Sequence, residues 1–145
     1  MKKHALITLA ESVSDIRELE TRFLDAIDEN APDEETLIRL DTAIKVGKIT
    51  FFVAKIGGTP VGMCSVSRCF STFACSDIAQ FDDFFILPEY RHGGIARDLA
   101  EAAQQWCRDN GITSLTVTSS PSDEAMYQHL GFTLRLGTTY ANVIE

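Results

Sequence analysis

Hydrophobic period changes several times along the chain, and each change marks an element. Residues 5–9 are apolar and β-branched and read as a first strand. Residues 11–28 place Ile16, Leu19, Phe23 and Ile27 at spacings of three and four, one apolar stripe on a helix. Asn30-Ala31-Pro32 breaks it. Pro32, Asp33, Glu34 and Glu35 then form an acidic helix start, Leu37, Leu40 and Ile44 continue a second apolar face, and Gly47 closes it. From residue 49 the period shortens. Residues 49–56, 61–70 and 78–86 read as three strands, with a hairpin turn at Gly57-Gly58-Thr59-Pro60 and a polar loop over 71–77. Short turns between them imply an antiparallel meander. Ile95, Leu99, Ala102, Ala103 and Trp106 return to the helical period, ended by Asp109-Asn110-Gly111. A strand is expected over 112–118. Ser120 as N-cap, Pro121 at the first helical position and Asp123 closing an acidic capping box predict a short helix through Met126, Tyr127 and Leu130, stopped by Gly131. Two last strands, 132–136 and 138–143, are expected to turn at Gly137. The predicted order is β-α-α-β-β-β-α-β-α-β-β.

Composition narrows the class. A chain of 145 residues, 45% hydrophobic and 23% charged, fits one soluble domain with one core, here 1–145. No apolar run is long enough to span a membrane. The basic start Met1-Lys2-Lys3-His4 is followed too soon by Glu11 to read as a leader, which leaves a cytoplasmic protein as the expectation. A net charge of −8 argues against a nucleic-acid partner. The four cysteines, Cys64, Cys69, Cys75 and Cys107, have no CxxC spacing and read as free thiols. His4, His92 and His129 show no spacing for a metal site or a triad, so no metal is expected.

The candidate chemistry centres on Arg91-His92-Gly93-Gly94-Ile95-Ala96, which follows the apolar run Phe84-Phe85-Ile86-Leu87 and opens a helix. In a strand–glycine turn–helix arrangement, successive backbone N–H groups point into one concavity and the helix dipole adds partial positive charge. That suits an anion, most simply a pyrophosphate. The glycines alone fit an ordinary strand-to-helix turn equally well. A dinucleotide fold of Rossmann type fits poorly, because this turn follows a meander rather than opening a βαβ unit.

The stretch from Phe84 to Ala96 resembles the acyl-CoA signature of the GNAT superfamily of N-acetyltransferases, Gln or Arg, two residues, Gly, one residue, Gly or Ala, through Arg91, Gly94 and Ala96. Ala125-Met126-Tyr127-Gln128-His129-Leu130-Gly131-Phe132 resembles a second hallmark, a Tyr four residues before a Gly-Phe pair. The separation of the motifs and the element order agree over essentially the whole chain. The resemblance implies an α/β (α+β) GNAT fold, a mixed, mostly antiparallel sheet splayed at the strands before and after the coenzyme-binding helix. It implies acetyl-CoA as co-substrate and an acyltransferase of the class moving groups other than aminoacyl groups. His92, Gly93, Gly94, Ile95 and Ala96 would hold the pyrophosphate by backbone N–H groups, with Arg91 beside them. Main-chain groups of Phe84, Phe85 and Ile86 would pair with the pantetheine arm.

The same resemblance implies direct attack of a neutral primary amine on the thioester within a ternary complex. Tyr127 would protonate the departing thiolate, since a phenol with an unperturbed pKa near 10 is close to a thiol. Asp82, Asp83 or an ordered water would take the amine proton. Strand alternation sends Asp82 and Asp83 to opposite faces, so only one is expected to serve. Ser120 stands where the family often has Asn, and His92-Gly93 replaces a common basic pair. The acceptor is a small-molecule, peptide or protein amine. The acidic excess at Asp28, Glu29, Asp33, Glu34 and Glu35 forms either a funnel for a cation or a solvated helix face. The rival class is a non-catalytic acyl-CoA-binding sensor or structural protein. A homodimer is compatible with either.

Overall fold

The computed structural model describes residues 4–144. The basic residues at 2 and 3 lie outside them. The element order is β1 (Leu6–Leu9), α1 (Arg17–Ala26), α2 (Glu34–Lys45), β2 (Ile49–Ile56), β3 (Thr59–Ser71), β4 (Ser76–Ile86), α3 (Ile95–Asp109), β5 (Leu115–Thr116) and α4 (Glu124–His129). Spatial order in the sheet follows sequence order. The first four strands pair antiparallel, and β5 joins β4 in parallel through the α3 crossover. This is the mixed α/β sheet expected from the sequence.

The two faces of the sheet carry separate cores. Phe52, Ala54, Cys64, Val66 and Phe81 pack against Ile95, Leu99 and Ala103 of α3. Phe51, Val53, Met63 and Phe85 face the other way, against Ile16 and Leu19 at α1 and Ile44 of α2. Alternate residues of β2 thus enter opposite cores, which is why this strand is apolar throughout. Gly62 marks the closest approach of β3 to the β4–α3 corner. A Cβ there would lie 3.2 Å from Ile86 Cγ1 and 3.3 Å from the Phe85 carbonyl oxygen.

Local chemistry explains the helix starts. Asp15 accepts hydrogen bonds from the N–H groups of Glu11 and Ser12 in a short 3-10 turn before α1, so the helix begins at Arg17 rather than Glu11. Asp33 caps α2, accepting from Thr36 N–H at 2.8 Å. Before α4, Asp123 N–H bonds to the Ser120 carbonyl, but the Ser120 hydroxyl donates to the Asp123 carboxylate at 3.0 Å and caps no N–H. The acidic capping box is therefore not formed.

The C-terminal expectation is corrected. Residues 132–144 contain no strand, and the turn at Gly137 joins no hairpin. Among the described residues, 133–144 make no backbone hydrogen bond to the rest of the chain. β propensity is present, but the segment pairs with none of the described strands. All four cysteines are free, Cys64 and Cys107 buried, Cys69 and Cys75 exposed.

Candidate active site

The site is built on an irregularity in β4. Met63 pairs with Phe85 and Ser65 with Asp82, so one β3 residue, Cys64, lies opposite two on β4, Asp83 and Phe84. Asp83 takes up the extra residue in a left-handed conformation, φ +50°. Ser65, paired across from Asp82, donates its hydroxyl to Asp83 Oδ2 at 2.6 Å. Asp82 Oδ1 in turn accepts from the Asp83 N–H at 2.8 Å. The bulge therefore cancels strand alternation, and both carboxylates come to the Ser65 side of the sheet, the side covered by α1. The expectation that they take opposite faces is wrong for this physical reason.

A third carboxylate meets them there. Glu20 on α1 has a buried Oε2 with no hydrogen-bond partner among the described residues. Burial first, then the charges of Asp83 and Asp82, push its pKa up to about 7. Asp83 is also raised, by burial and by Asp82, against the lowering effect of the Ser65 hydrogen bond. Sequence reasoning missed Glu20. Its one signal is position: it follows buried Leu19 and precedes Phe23 by three, at the margin of the apolar stripe, and Phe23 packs 5.5 Å from the Phe85 ring.

The glycine turn lies at the end of the same strand. Gly94 caps α3 with φ +91°, and His92 is also left-handed at +64°. Among the described residues, the N–H groups of His92, Gly93, Gly94, Ile95, Ala96 and Arg97 have no partner, and nothing lies within 4 Å of where a Gly94 Cβ would stand. This is a concave row of free donors at a helix N-terminus, and it fits a pyrophosphate. Arg91 turns away from it. Its Nε donates to the Ile86 carbonyl at 2.9 Å and its guanidinium sits 5.9 Å from the Phe85 ring centroid. Arg91 braces the end of β4, and the Ile86 carbonyl is already engaged.

Beyond Gln80 and Thr116 the parallel β4–β5 pairing stops. The β4 edge over residues 81–86 thus faces a gap. An aromatic wall lines it, with Phe81–Phe84 at 5.1 Å, Phe84–Tyr127 at 6.2 Å and Tyr127–Phe132 at 5.9 Å between centroids. Tyr127 is half-buried, and burial first, then Asp123 and Asp82, raise its pKa. The phenol therefore holds its proton at neutral pH. Ser120 stands at the entry to α4, its hydroxyl engaged with Asp123 and Ser122. His129 contacts Arg97 at 3.0 Å, far along the chain from His92. Among the described residues no group of His, Cys, Asp and Glu is arranged for a metal.

The helical acidic residues divide. Asp33 is a cap, Glu34 pairs with Arg17 at 3.1 Å, and Asp41 accepts from Val13 N–H and pairs with Lys45 at 2.7 Å. Asp28, Glu29 and Glu35 stand exposed. The concentrated negative charge is at Glu20, Asp82 and Asp83.

The gap between β4 and β5, the donor-lined helix start after β4 and the tyrosine on α4 make up the candidate site. The model of the Acetyltransferase (GNAT) family matches residues 13–132, and the chain belongs to that family. Among curated proteins, it is similar to the aminoglycoside N(6')-acetyltransferase type 1 of Salmonella typhimurium, 26% identical over 107 residues that cover 70% of this chain and 74% of the relative. Among solved structures, a probable acetyltransferase superposes with a TM-score of 0.85 at 18% identity, covering 97% of this chain and 98% of the other. An AAC(6')-Iy structure in complex with the bisubstrate analog CoA-S-monomethyl-acetylneamine superposes at 0.80 and 20% identity, covering 97% and 99%. At these identities the structural likeness is one of fold.

Proposed function

We propose that residues 1–145 act as one cytoplasmic N-acetyltransferase domain that moves an acetyl group from acetyl-CoA to a primary amine of a cationic acceptor. The observation that carries this reading is the Glu20–Asp82–Asp83 group: Asp82 and Asp83 lie on β4, Asp83 three residues before the strand ends at Ile86 and the chain turns toward Gly94, and Glu20 meets them from α1. The main-chain edge at Phe84, Phe85 and the N–H of Ile86, whose carbonyl is held by Arg91, receives the pantetheine arm, and the N–H row from His92 to Ala96 receives the pyrophosphate, with Ser120 at the entry to α4. The name of the curated relatives supports a polycationic acceptor of aminoglycoside type.

The chemistry is a single displacement in a ternary complex. The amine nitrogen forms a bond to the thioester carbonyl carbon as the C–S bond breaks. Backbone N–H near Ile86 polarises the carbonyl oxygen. Tyr127 gives its proton to the thiolate. The amine proton passes to a carboxylate. Glu20, with a pKa near neutrality, is the best matched of the three, while Asp82 and Asp83 hold the ammonium form before it deprotonates. A homodimer belongs to this reading.

The test is thiol release from acetyl-CoA across a panel of aminoglycosides, diamines, peptide amines and anionic amino acids, each at low and high salt. The screening length is about 8 Å at physiological ionic strength, so kcat/KM for the best acceptor falls as salt rises. Acetyl-CoA binding without thiol release for any amine would place the protein with non-catalytic acyl-CoA binders. A best acceptor that is anionic would overturn the cationic assignment.

A further inference from the structure

The short helix that carries Tyr127 has few directional ties to the fold. Among the described residues, the backbone of 118–132 makes its hydrogen bonds only within that segment, and no side chain of it enters an ion pair. Its contacts with the sheet are apolar. Tyr127 lies against Phe84 and Phe132, and Phe132 against Phe81. Such contacts hold α4 on the sheet, but they are non-directional and fix neither its rotation nor its slide.

Two side chains of α3 supply the direction. Gln104 Nε2 donates to the Leu130 carbonyl at 3.0 Å. Leu130 is the C-cap of α4, so this carbonyl is among those the helix itself leaves unpaired. The amide lies against Gly131, where a Cβ would stand 3.4 Å from the same Nε2. About two turns earlier on the same face of α3, the Arg97 guanidinium donates to His129 Nε2 at 3.0 Å. Arginine only donates, so this ring nitrogen accepts. Among the described residues, these two are the only hydrogen bonds from 118–132 to the rest of the fold. The helix that gives them is also the one whose start carries the row of free N–H groups.

We propose that Gln104 and Arg97 are positioning residues, two struts by which α3 sets the Tyr127 hydroxyl at the β4–β5 gap. The role rests on the acid function proposed for Tyr127. A proton reaches the thiolate only from a hydroxyl within hydrogen-bond reach of the sulfur, and a misplacement of about 1 Å can cost up to about 10²-fold. One helix thus fixes the donor turn at its start and the acid along its flank.

The test is Gln104→Leu in the full chain, which keeps an apolar stem of similar size and deletes the donor. Hydrogen exchange by NMR follows the N–H groups of Leu130, Gly131 and Phe132, which close α4. Loss of the strut speeds their exchange by about tenfold or more and leaves the α3 amides unchanged. Steady-state rates are then taken in a cycle with Tyr127→Phe. In the wild-type background kcat falls about tenfold while acetyl-CoA affinity, from calorimetry, stays within about twofold. In the Tyr127→Phe background the further loss is under about twofold, because the hydroxyl being positioned is gone. Unchanged exchange, unchanged kcat, or equal losses in the two backgrounds would each overturn the role of Gln104. Tyr127→Phe turnover within about threefold of wild type would remove the acid itself and the struts' purpose with it. Slow Tyr127→Phe beside an unaffected Gln104→Leu would remove the struts alone. If Gln104→Leu does not fold, Gln104→Glu, which keeps the shape and sets an acceptor against the Leu130 carbonyl, goes through the same measurements. His129→Leu takes away the second strut's acceptor without touching the donor turn and shows the same pattern; wild-type exchange and kcat there would overturn the role of Arg97.

Discussion

Ser65 and Asp83, 18 residues apart in sequence, are joined across a β-bulge by a 2.6 Å hydrogen bond from the serine hydroxyl to the carboxylate. Ser65 is fully buried, and the bond holds a carboxylate that burial and Asp82 would otherwise protonate more readily. Ser65→Ala keeps the Cβ and removes the donor. It should cost about 1–3 kcal/mol of stability, as hydrogen bonds to charged groups do. Urea unfolding at pH 7.5 measures it, and a loss below about 0.5 kcal/mol would mean that the bond is not formed in solution.

Glu20 gives a pH signature. As the proton acceptor it works deprotonated, so kcat/KM should rise through a pKa near 7 and level off above it. Glu20→Gln should remove that limb and lower the plateau by about 10²-fold. Stability moves the opposite way. The folded-state pKa of about 7 exceeds the reference 4.5, so the folded protein binds the extra proton and wild-type stability falls as pH rises from about 4.5 to 7. Glu20→Gln should therefore melt higher than wild type at pH 8 and converge with it near pH 4. Thermal scans across that range check the sign.

Tyr127→Phe keeps the ring packing against Phe84 and Phe132 and deletes only the hydroxyl. Turnover should fall about 10²-fold with coenzyme affinity nearly unchanged, the size of a general-acid contribution. Calorimetric binding of acetyl-CoA beside steady-state rates separates the two. A turnover within about threefold of wild type would assign thiolate protonation to solvent.

Gly94 allows a graded test of the donor turn. A Cβ there meets nothing within 4 Å, so Gly94→Ala carries only the cost of φ +91°, about 1–2 kcal/mol. Gly94→Glu adds bulk and negative charge in front of the free N–H row and should abolish acetyl-CoA binding in a folded protein. Unchanged binding by the Glu variant would remove the pyrophosphate from this turn.

Gly62→Ala addresses packing rather than chemistry. Its methyl would press on Ile86 Cγ1, the Phe85 carbonyl and Ile95 Cγ2, all within 3.4 Å. Overpacking of this kind costs about 1–3 kcal/mol. Because the contacts lie at the β4–α3 corner, a raised KM for acetyl-CoA should accompany the lower melting temperature.

Much of this architecture is written in local patterns. Leu37, Leu40 and Ile44, or Ile95, Leu99 and Ala103, announce their helices by spacing, and the meander announces its turns. The two motifs around Gly94 and Tyr127 are equally local. The bulge is not, because Asp82-Asp83-Phe84-Phe85 reads as a continuous strand until the register with Met63 and Ser65 is known. Glu20 was invisible for a related reason: its environment is made by residues more than 60 positions away. The last two strands failed differently. Phe132 to Val143 has the composition of strands, but a strand exists only with a partner, and composition does not name one.

Placing Asp82, Asp83 and the open edge over Phe84 to Ile86 on one strand, β4, has a consequence for how such a protein changes over time. From Phe84 to Ile86 the chain advances about 7 Å at roughly 3.3 Å per residue, so in the proposed reading the backbone itself acts as a ruler between amine and thioester. An insertion or deletion within those residues would shift the whole reaction distance at once. The loop between α1 and α2 lies off that ruler. Its length and charge can change while the spacing along β4 stays as it is.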